Sequence, residues 1–366
     1  MRPRVATVII GIFAWLLATP LAVASPTLLI EAKTGKVLYA EDPDSIWHPA
    51  SLTKIMTAYV TFKAIRDGRI KLDAKIPCSL VATLQPPSKV GLNIGAELTV
   101  DKALQAVIVK SANDVTVMLA EAISGSEQAF VAEMNVTAKK LGMTRTTYVN
   151  TNGLPDPAQV TTARDLARLA RAVVADFPEY ASYWTMTDMR IGKRRLGSHN
   201  ALLRTFPGAD GLKTGFTCDS GYNIVASATR DDLRLLAVVM GEVSGNERAV
   251  RAASLLEHGF QTYGWKQIFN QTTIDTLPID PSAANSAASV RNDVAAWSCG
   301  GSKQHKKARS IAARKKALKA KQAKAQKTDS ATADGASATE APALKGTTAT
   351  PEAERASASD EAKSAP

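Results

Sequence analysis

The chain has 366 residues, 45% of them apolar, and a formal net charge of +11. This length and apolar content are enough for one sizeable core or two domains. The charge is concentrated in one place, because residues 303–327 hold eleven Lys or Arg and no acidic residue, while residues 328–366 carry a net charge of −4. Residues 1–302 therefore hold only +4 of the total, which excludes nucleic acid as an expected partner of the folded part.

The first 24 residues have the pattern of a secretory signal peptide. Arg2 and Arg4 precede an apolar run at 5–18, and Ala22-Val23-Ala24 has the small-x-small pattern that signal peptidase recognises. The apolar run is shorter than the roughly 20 residues that a membrane-spanning helix needs. The sequence therefore predicts cleavage after Ala24 and a mature protein that acts outside the cytoplasm.

The elements that follow change in type along the chain. A hairpin is predicted over 27–41 with Lys33-Thr34-Gly35 in its turn, and a helix opens at Ser51 and ends near Gly68. The remaining predicted helices are 101–108, 114–123, 126–141, 162–175 and 247–263, and the remaining predicted strands are 189–195, 211–217, 223–228 and 233–239. Strands near both ends with helices between them predict an α+β domain over 25–265 whose sheet joins the two termini.

Residues 266–366 are predicted to form a low-complexity tail, basic and then acidic, that is largely disordered. The stretch from 281 onward is rich in Ala, Ser, Thr and Lys and has scarcely any aromatic residue besides Trp297. Such a composition offers too little apolar surface to offset the entropy of ordering.

Cysteine and histidine usage indicates neither a metal nor a cofactor. Cys78, Cys218 and Cys299 make an odd count, so two of them can pair and one can stay free, and the sequence does not choose the pair. No Cys-x-x-Cys or His-x-x-x-His spacing occurs, and the four histidines are scattered. We therefore expect chemistry that uses side chains alone.

Three short motifs in a fixed order carry the chemistry. Ser51-Leu52-Thr53-Lys54 is the single Ser-x-x-Lys of the chain, Ser111-Ala112-Asn113 follows some sixty residues on, and Lys213-Thr214-Gly215 about a hundred further. Each motif alone is weak evidence for a function, because Lys-Thr-Gly also occurs at 33–35 and Ser-x-Asn occurs three times. The order and the context of the set indicate an active-site serine enzyme that attacks amide bonds.

The roles of these residues follow from acyl-transfer chemistry. Ser51 and Lys54 lie one helical turn apart, so that an uncharged Lys54 amine can act as the base that activates the Ser51 hydroxyl. Burial and the positive charge of Lys213 would lower the pKa of Lys54. Ser111 can relay the proton to the leaving nitrogen, while the Asn113 carboxamide orients Lys54 and the substrate.

The third motif is predicted to form an edge strand that binds the substrate backbone. Lys213 and Thr214 can hold a carboxylate, and the absence of a side chain at Gly215 permits close approach. The backbone N–H groups of Ser51 and Phe216 would then stabilise the developing oxyanion. The alternative is that this motif forms a turn, as residues 33–35 do. A strand-like stretch follows Gly221 instead of a return hairpin, which argues against a turn.

With all three motifs placed, the chain resembles the serine D-alanyl-D-alanine carboxypeptidases, the low-molecular-mass penicillin-binding proteins. The resemblance extends over roughly residues 26–265 and rests on three longer blocks, Pro49–Lys54, Lys110–Asp114 and Asp210–Thr217. It implies the penicillin-binding-protein/β-lactamase-like transpeptidase fold, an antiparallel sheet flanked by helices. It also implies a periplasmic enzyme whose Ser51 is acylated by the peptidoglycan stem peptide, expelling terminal D-alanine, and is blocked by β-lactam antibiotics.

Other interpretations stay open at this point. A D,D-endopeptidase acting on cross-links would use the same acylation site. A class A β-lactamase would need a glutamate after the second motif, and none lies between Glu133 and Glu179. A binding module defined by the basic run is the non-enzyme alternative.

The end of the chain departs from the family pattern. Better-known members continue into a β-rich second domain and an amphipathic membrane-binding helix, whereas residues 267–280 contain only a few strand-like positions and the tail shows no convincing apolar face. We therefore do not expect membrane attachment by the family's usual route. A weak electrostatic contact between residues 303–327 and anionic lipid or wall polymer is the alternative to a plain solvated tail.

Overall fold

A computed structural model describes residues 25–269, 271–294 and 298–299, with the backbone alone at 265–268. The predicted signal peptide with its cleavage site and the basic run 303–327 lie outside the described residues. Within the described part of the chain, no helix has both the length and the apolar character required to cross a membrane.

The described residues form nine strands and nine α-helices, with short 3₁₀ segments at Ala50–Leu52 and Pro178–Tyr180 and a π-helical turn at Ala106–Lys110. The strands are β1 (Thr27–Glu31), β2 (Val37–Glu41), β3 (Lys75–Pro77), β4 (Glu97–Thr99), β5 (Asp188–Ile191), β6 (Arg194–Gly197), β7 (Ala209–Thr217), β8 (Gly221–Arg230) and β9 (Leu233–Glu242). The helices are α1 (Thr53–Arg66), α2 (Leu80–Thr83), α3 (Val100–Gln105), α4 (Asn113–Ser124), α5 (Glu127–Lys140), α6 (Ala163–Asp176), α7 (Ala181–Thr185), α8 (Leu202–Thr205) and α9 (Gly245–Phe269).

The main sheet has five antiparallel strands in the order β2-β1-β9-β8-β7. Both of its faces are covered, because Leu236 and Val238 of β9 enter the larger core while Leu235 and Ala237 enter a smaller core under α9. Successive side chains of a strand point to opposite faces, so a strand covered on both sides is apolar throughout. The predicted α+β class and the antiparallel sheet that joins the two sequence ends are confirmed.

Helix α1 lies in the centre of the larger core and carries the first motif at its start. Its residues from Thr53 to Phe62 are all buried, and it contacts α4, α5 and α6. Hydrophobic residues on all sides are expected of a helix that is surrounded by other helices. The N-terminus of α1 is therefore a rigid base for the residues that precede it.

Two local predictions are wrong. The stretch predicted as one strand at 189–195 is the hairpin of β5 and β6, which turns at Gly192 with a φ of +55°. Glycine takes this conformation without a steric penalty, so it breaks the apparent strand. The predicted absence of a return hairpin after Gly221 is also wrong, because β7 and β8 pair directly across the turn 218–220.

The predicted domain boundary at 265/266 is wrong as well, because residues 271–294 and 298–299 pack on the domain. We call these residues the C-terminal strap. Ile274 is fully buried, Val290 and Val294 are nearly so, and the Ile274 N–H donates to the Gly35 carbonyl. A few buried residues anchor this segment to the domain. The average composition of the segment does not reveal them. Helix α9 also continues to Phe269, beyond its predicted end.

One disulfide and a set of hydrogen bonds from Arg164 help to fix the strap. Cys218 and Cys299 form a disulfide with a Cα–Cα distance of 5.5 Å, while Cys78 is free and buried. The Arg164 guanidinium forms a buried bidentate pair with Asp44, with N–O distances of 2.6 and 2.7 Å. Arg164 also donates to three strap carbonyls, those of Ile274, Leu277 and Pro278.

Replacement of Arg164 by alanine should strongly destabilise the fold. Arg164→Ala leaves the Asp44 carboxylate buried without its partner, which typically costs about 3–5 kcal/mol. We expect a loss of this size in the free energy of urea-induced unfolding. Arg69→Ala is the matched control, because its ion pair with Glu133 is partly exposed and should cost no more than about 1 kcal/mol. Equal losses in the two variants would contradict the role of Arg164.

Candidate active site

Ser51 lies in the 3₁₀ turn that leads into α1, and the loop before it has an unusual conformation. Ala50 has a φ of +49°, which is uncommon for a residue with a side chain. Gly153, with a φ of +80°, lies so close that a Cβ there would be 1.7 Å from the Ala50 carbonyl oxygen. The loop around Gly153 therefore fixes the backbone beside Ser51, and position 153 requires glycine.

Lys54 is completely buried, and its amine contacts three oxygens. Nζ lies 2.9 Å from Ser51 Oγ, 2.8 Å from Asn113 Oδ1 and 2.6 Å from the Asn152 carbonyl oxygen. An uncharged amine has two N–H groups and one lone pair. The Asn113 and Asn152 oxygens can accept the two N–H groups, which leaves the lone pair to accept the Ser51 proton.

The surroundings favour this uncharged form. Burial, and secondly the charge of Lys213, hold the pKa of Lys54 well below its ordinary value of 10.5, although Asp114 acts in the opposite direction. Burial and the charge of Arg248 also lower the pKa of Lys213, to about 7. The site thus places two amines in an interior that disfavours their charge, and Lys54 is the one in contact with the serine.

The second motif is positioned by a break between two helices. The π-helical turn ends at Ser111, which has a left-handed φ of +60°, and Asn113 then starts α4. Asn113 is fixed by its N–H, which donates to the Ser88 carbonyl, and by its Nδ2, which donates to the Pro86 carbonyl. The break between the two helices directs Ser111 and Asn113 into the same cleft. The sequence predicts a helix break at this point.

The third motif lies on β7, the edge strand of the sheet, next to Ser51. Lys213 is buried, and its Nζ lies 3.0 Å from Ser111 Oγ and 2.9 Å from the Thr214 carbonyl oxygen. A Cβ at Gly215 would be only 3.1 Å from the Ser51 nitrogen. A side chain at position 215 would therefore crowd the nucleophile.

The three motifs meet at one cleft with a volume of about 390 Å³. Ser51, Ser111, Asn113, Thr214, Gly215 and Phe216 line the cleft, and Lys54 and Lys213 are buried beneath it in contact with Ser51 and Ser111. The structure thus brings together all eight residues that the sequence singled out. Among the described residues that line this cleft, none is an aspartate or glutamate.

Sequence reasoning missed several residues of this site. Asn152 contributes a backbone carbonyl, for which the side-chain pattern gives no signal. Arg248 reaches the cleft from α9, and its Nε is buried without a hydrogen-bond partner. Tyr222 packs against Phe216 in a tilted arrangement, with ring centroids 4.2 Å apart. His199 also lines the cleft, and burial together with Lys213, Lys110 and Arg248 lowers its pKa to about 4, so it is uncharged at neutral pH.

Known proteins are similar to this chain in both sequence and fold. The model of the peptidase S11 family, described as D-alanyl-D-alanine carboxypeptidase, matches residues 17–244. D-alanyl-D-alanine carboxypeptidase DacC of Escherichia coli is 37% identical over 243 residues, which are 64% of this chain and 61% of that protein. The chain therefore spans less than two thirds of the length of this relative.

Solved structures agree with this match. Penicillin-binding protein 5 of Haemophilus influenzae is 36% identical, with a TM-score of 0.64 over 67% of this chain and 73% of that one. Penicillin-binding protein D2 of Listeria monocytogenes, in its cefotaxime-bound form, is 31% identical, with a TM-score of 0.59 over 65% of this chain and 97% of that one. Since the family model covers more than half of the 366 residues, the chain belongs to the D-alanyl-D-alanine carboxypeptidase family, peptidase S11.

Proposed function

We propose that the chain is a serine D-alanyl-D-alanine carboxypeptidase that removes the terminal D-alanine from peptidoglycan stem peptides. The observation that carries this proposal is the contact between a buried Lys54 amine and Ser51 Oγ at 2.9 Å, inside a cleft that the edge strand β7 borders. The substrate lies outside the cytoplasmic membrane, so this function requires export, for which the N-terminal signal pattern at 1–24 is suited.

Acylation follows from the geometry. Ser51 Oγ attacks the carbonyl carbon of the penultimate D-alanine while its proton passes to the Lys54 amine. Ser111 lies at the end of Lys213 and can carry a proton to the departing nitrogen, so that D-alanine leaves as a neutral amine. Water then attacks the ester on Ser51 and releases the shortened peptide.

The oxyanion that forms in each step needs two donors. We assign this role to the backbone N–H groups of Ser51 and Phe216, because the Gly215 backbone approaches the Ser51 nitrogen so closely. The start of α1 adds a positive partial charge at the same point. Penicillins would occupy the same positions and leave an ester on Ser51.

The terminal carboxylate of the substrate has suitable partners at the far end of the cleft. Thr214 and Lys213 were expected from the sequence, and Arg248 joins them because its buried Nε has no partner. Burial lowers the pKa of Arg248 to about 10, so the guanidinium stays charged at neutral pH. A charged, partly unsatisfied guanidinium is suited to bind a carboxylate.

A β-lactamase is the second candidate, and the cleft argues against it. A class A β-lactamase releases its penicillin ester fast by means of a glutamate that activates water. The described lining of the cleft holds neither aspartate nor glutamate. We therefore expect a penicillin ester on Ser51 that hydrolyses slowly.

Treatment of the full chain with penicillin should add the mass of one penicillin molecule. Peptide mapping should locate the adduct at Ser51, and Ser51→Ala should stay unmodified while keeping the unfolding temperature of the wild type. An adduct on another serine, or turnover too fast to leave any adduct, would contradict the assignment.

The dependence of acylation on pH should report the ionisation of Lys54. The charge of Lys213 lowers the pKa of Lys54, so Lys213→Met should raise it. Because the uncharged amine is the reactive form, the acid limb of the acylation rate should move to higher pH in this variant.

The pH at which the acylation rate declines, and not the maximum rate, tests the effect of Lys213 on the pKa of Lys54. The maximum rate can change for another reason, because Lys213 also binds substrate. Lys110→Gln is the matched control, because Lys110 is a nearby lysine that does not contribute to the pKa shift of Lys54. An acid limb at the same pH in wild type and Lys213→Met would show that Lys213 does not tune Lys54.

Arg248→Gln should weaken recognition of the terminal carboxylate. We expect kcat/KM for a D-alanyl-D-alanine peptide to fall at least about tenfold, as for the loss of a hydrogen bond to a charged group. A matched peptide with a C-terminal amide lacks this charge, so wild type and variant should process it at similar rates. Equal losses on the acid and the amide would place Arg248 outside carboxylate binding.

A further inference from the structure

The C-terminal strap contacts the turn between β7 and β8, beside the active site. This turn, residues 218–220, directly follows the strand that carries Lys213, Thr214 and Gly215. The family match ends at residue 244, before the strap begins.

Several bonds join the strap to this turn. Cys299 is linked to Cys218 by the disulfide. Arg291 donates from Nε and from one terminal nitrogen to the two Asp219 carboxylate oxygens, at 2.9 and 2.7 Å, and the Val290 N–H donates to the Asp219 carbonyl. On the inner side, Trp47 Nε1 donates to the Ser220 carbonyl. The turn is therefore held between the core and the strap.

The contact continues to side chains that line the cleft. The Tyr222 hydroxyl lies 3.0 Å from Ser298 Oγ of the strap. The ring of Tyr222 packs against Phe216, and the Arg248 guanidinium carbon lies 5.7 Å from the centroid of the Tyr222 ring. A displacement of the strap would thus reach Phe216 and Arg248 through one shared aromatic residue.

The outer edge of β7 faces the cleft and has no neighbouring strand in the main sheet. An edge strand is held by its single partner strand and by the turn that joins the two. Acyl transfer is sensitive to the position of the reacting groups, and a misplacement of about 1 Å can cost on the order of a hundredfold in rate. Bonds that hold the turn in place therefore help to keep the reacting groups in position for acyl transfer.

We propose that the strap is a positioning element of the active site. Cys299 and Arg291 hold the β7–β8 turn, and Ser298 holds Tyr222 beside it. Together they keep Phe216 and the substrate-binding strand in the geometry that acylation requires. The proposal rests on the proposed function, because it concerns the acylation of Ser51.

The test compares acylation with stability in the same full-length variants. Fluorescent penicillin is applied over a range of concentrations, at a temperature well below the unfolding midpoint recorded for every variant, to separate the limiting acylation rate from the half-saturating concentration. The variants are Cys218→Ser/Cys299→Ser, Arg291→Ala and Arg291→Lys. Thermal unfolding is recorded for each variant.

We expect the limiting rate to fall on the order of tenfold in the double cysteine variant. Arg291→Ala should lose less, about threefold, because its ion pair is partly exposed. Arg291→Lys should recover part of this loss, since it keeps the charge without the bidentate geometry. Arg69→Ala and Ser282→Ala, an exposed strap position away from the turn, are controls that should acylate like wild type.

The same comparison can be made without substitution. A trialkylphosphine converts the disulfide of the folded protein into two thiols, while the phosphine takes the oxygen of one water molecule and becomes its oxide. The limiting rate should fall as in the double variant, and Cys78 is buried and already a thiol.

Two failures are distinguishable. If wild type forms no adduct at Ser51, the proposed function is wrong. If wild type is acylated and the strap variants reach the same limiting rate while unfolding at lower temperature, the strap only stabilises the fold and the positioning role is overturned.

Discussion

The interaction on which the site depends is the contact of the buried Lys54 amine, whose surroundings favour the uncharged form, with the Ser51 hydroxyl. A charged Lys54 would be costly in this position, because its surroundings offer no carboxylate within contact and a second cation lies nearby. The same burial that would destabilise an ordinary lysine makes this one a base. The two carbonyl oxygens of Asn113 and Asn152 satisfy its N–H groups and so direct its lone pair to Ser51.

The fold supplies this environment from three directions. Helix α1 is buried on all sides and brings Lys54 into the core, the break before α4 brings Asn113, and the edge strand β7 closes the cleft with Gly215 beside the Ser51 nitrogen. None of these elements could provide the site alone. The interior that excludes water from Lys54 is formed only when the sheet and the helices pack together, which links the chemistry of the site to the stability of the domain.

The catalytic arrangement was largely predictable from the sequence, because each motif is short and its spacing reflects local geometry. One helical turn separates Ser51 from Lys54, and glycine at 215 marks a close approach. Asn152 was not predictable, since a backbone carbonyl has no side-chain signature, and Arg248 reaches the cleft only after α9 packs on the sheet. The strap was missed because its few anchors, such as Ile274, lie in a stretch whose average composition resembles disorder.

The most direct test of the central claim is the ionisation of Lys54 itself. In protein labelled with ¹⁵N at the lysine side chains, the resonance of Lys54 is identified by its loss in Lys54→Arg and followed against pH by NMR. We predict a pKa well below the ordinary value of 10.5. A Lys54 that is still an ammonium group at pH 9 would contradict the account, whatever the activity of the enzyme.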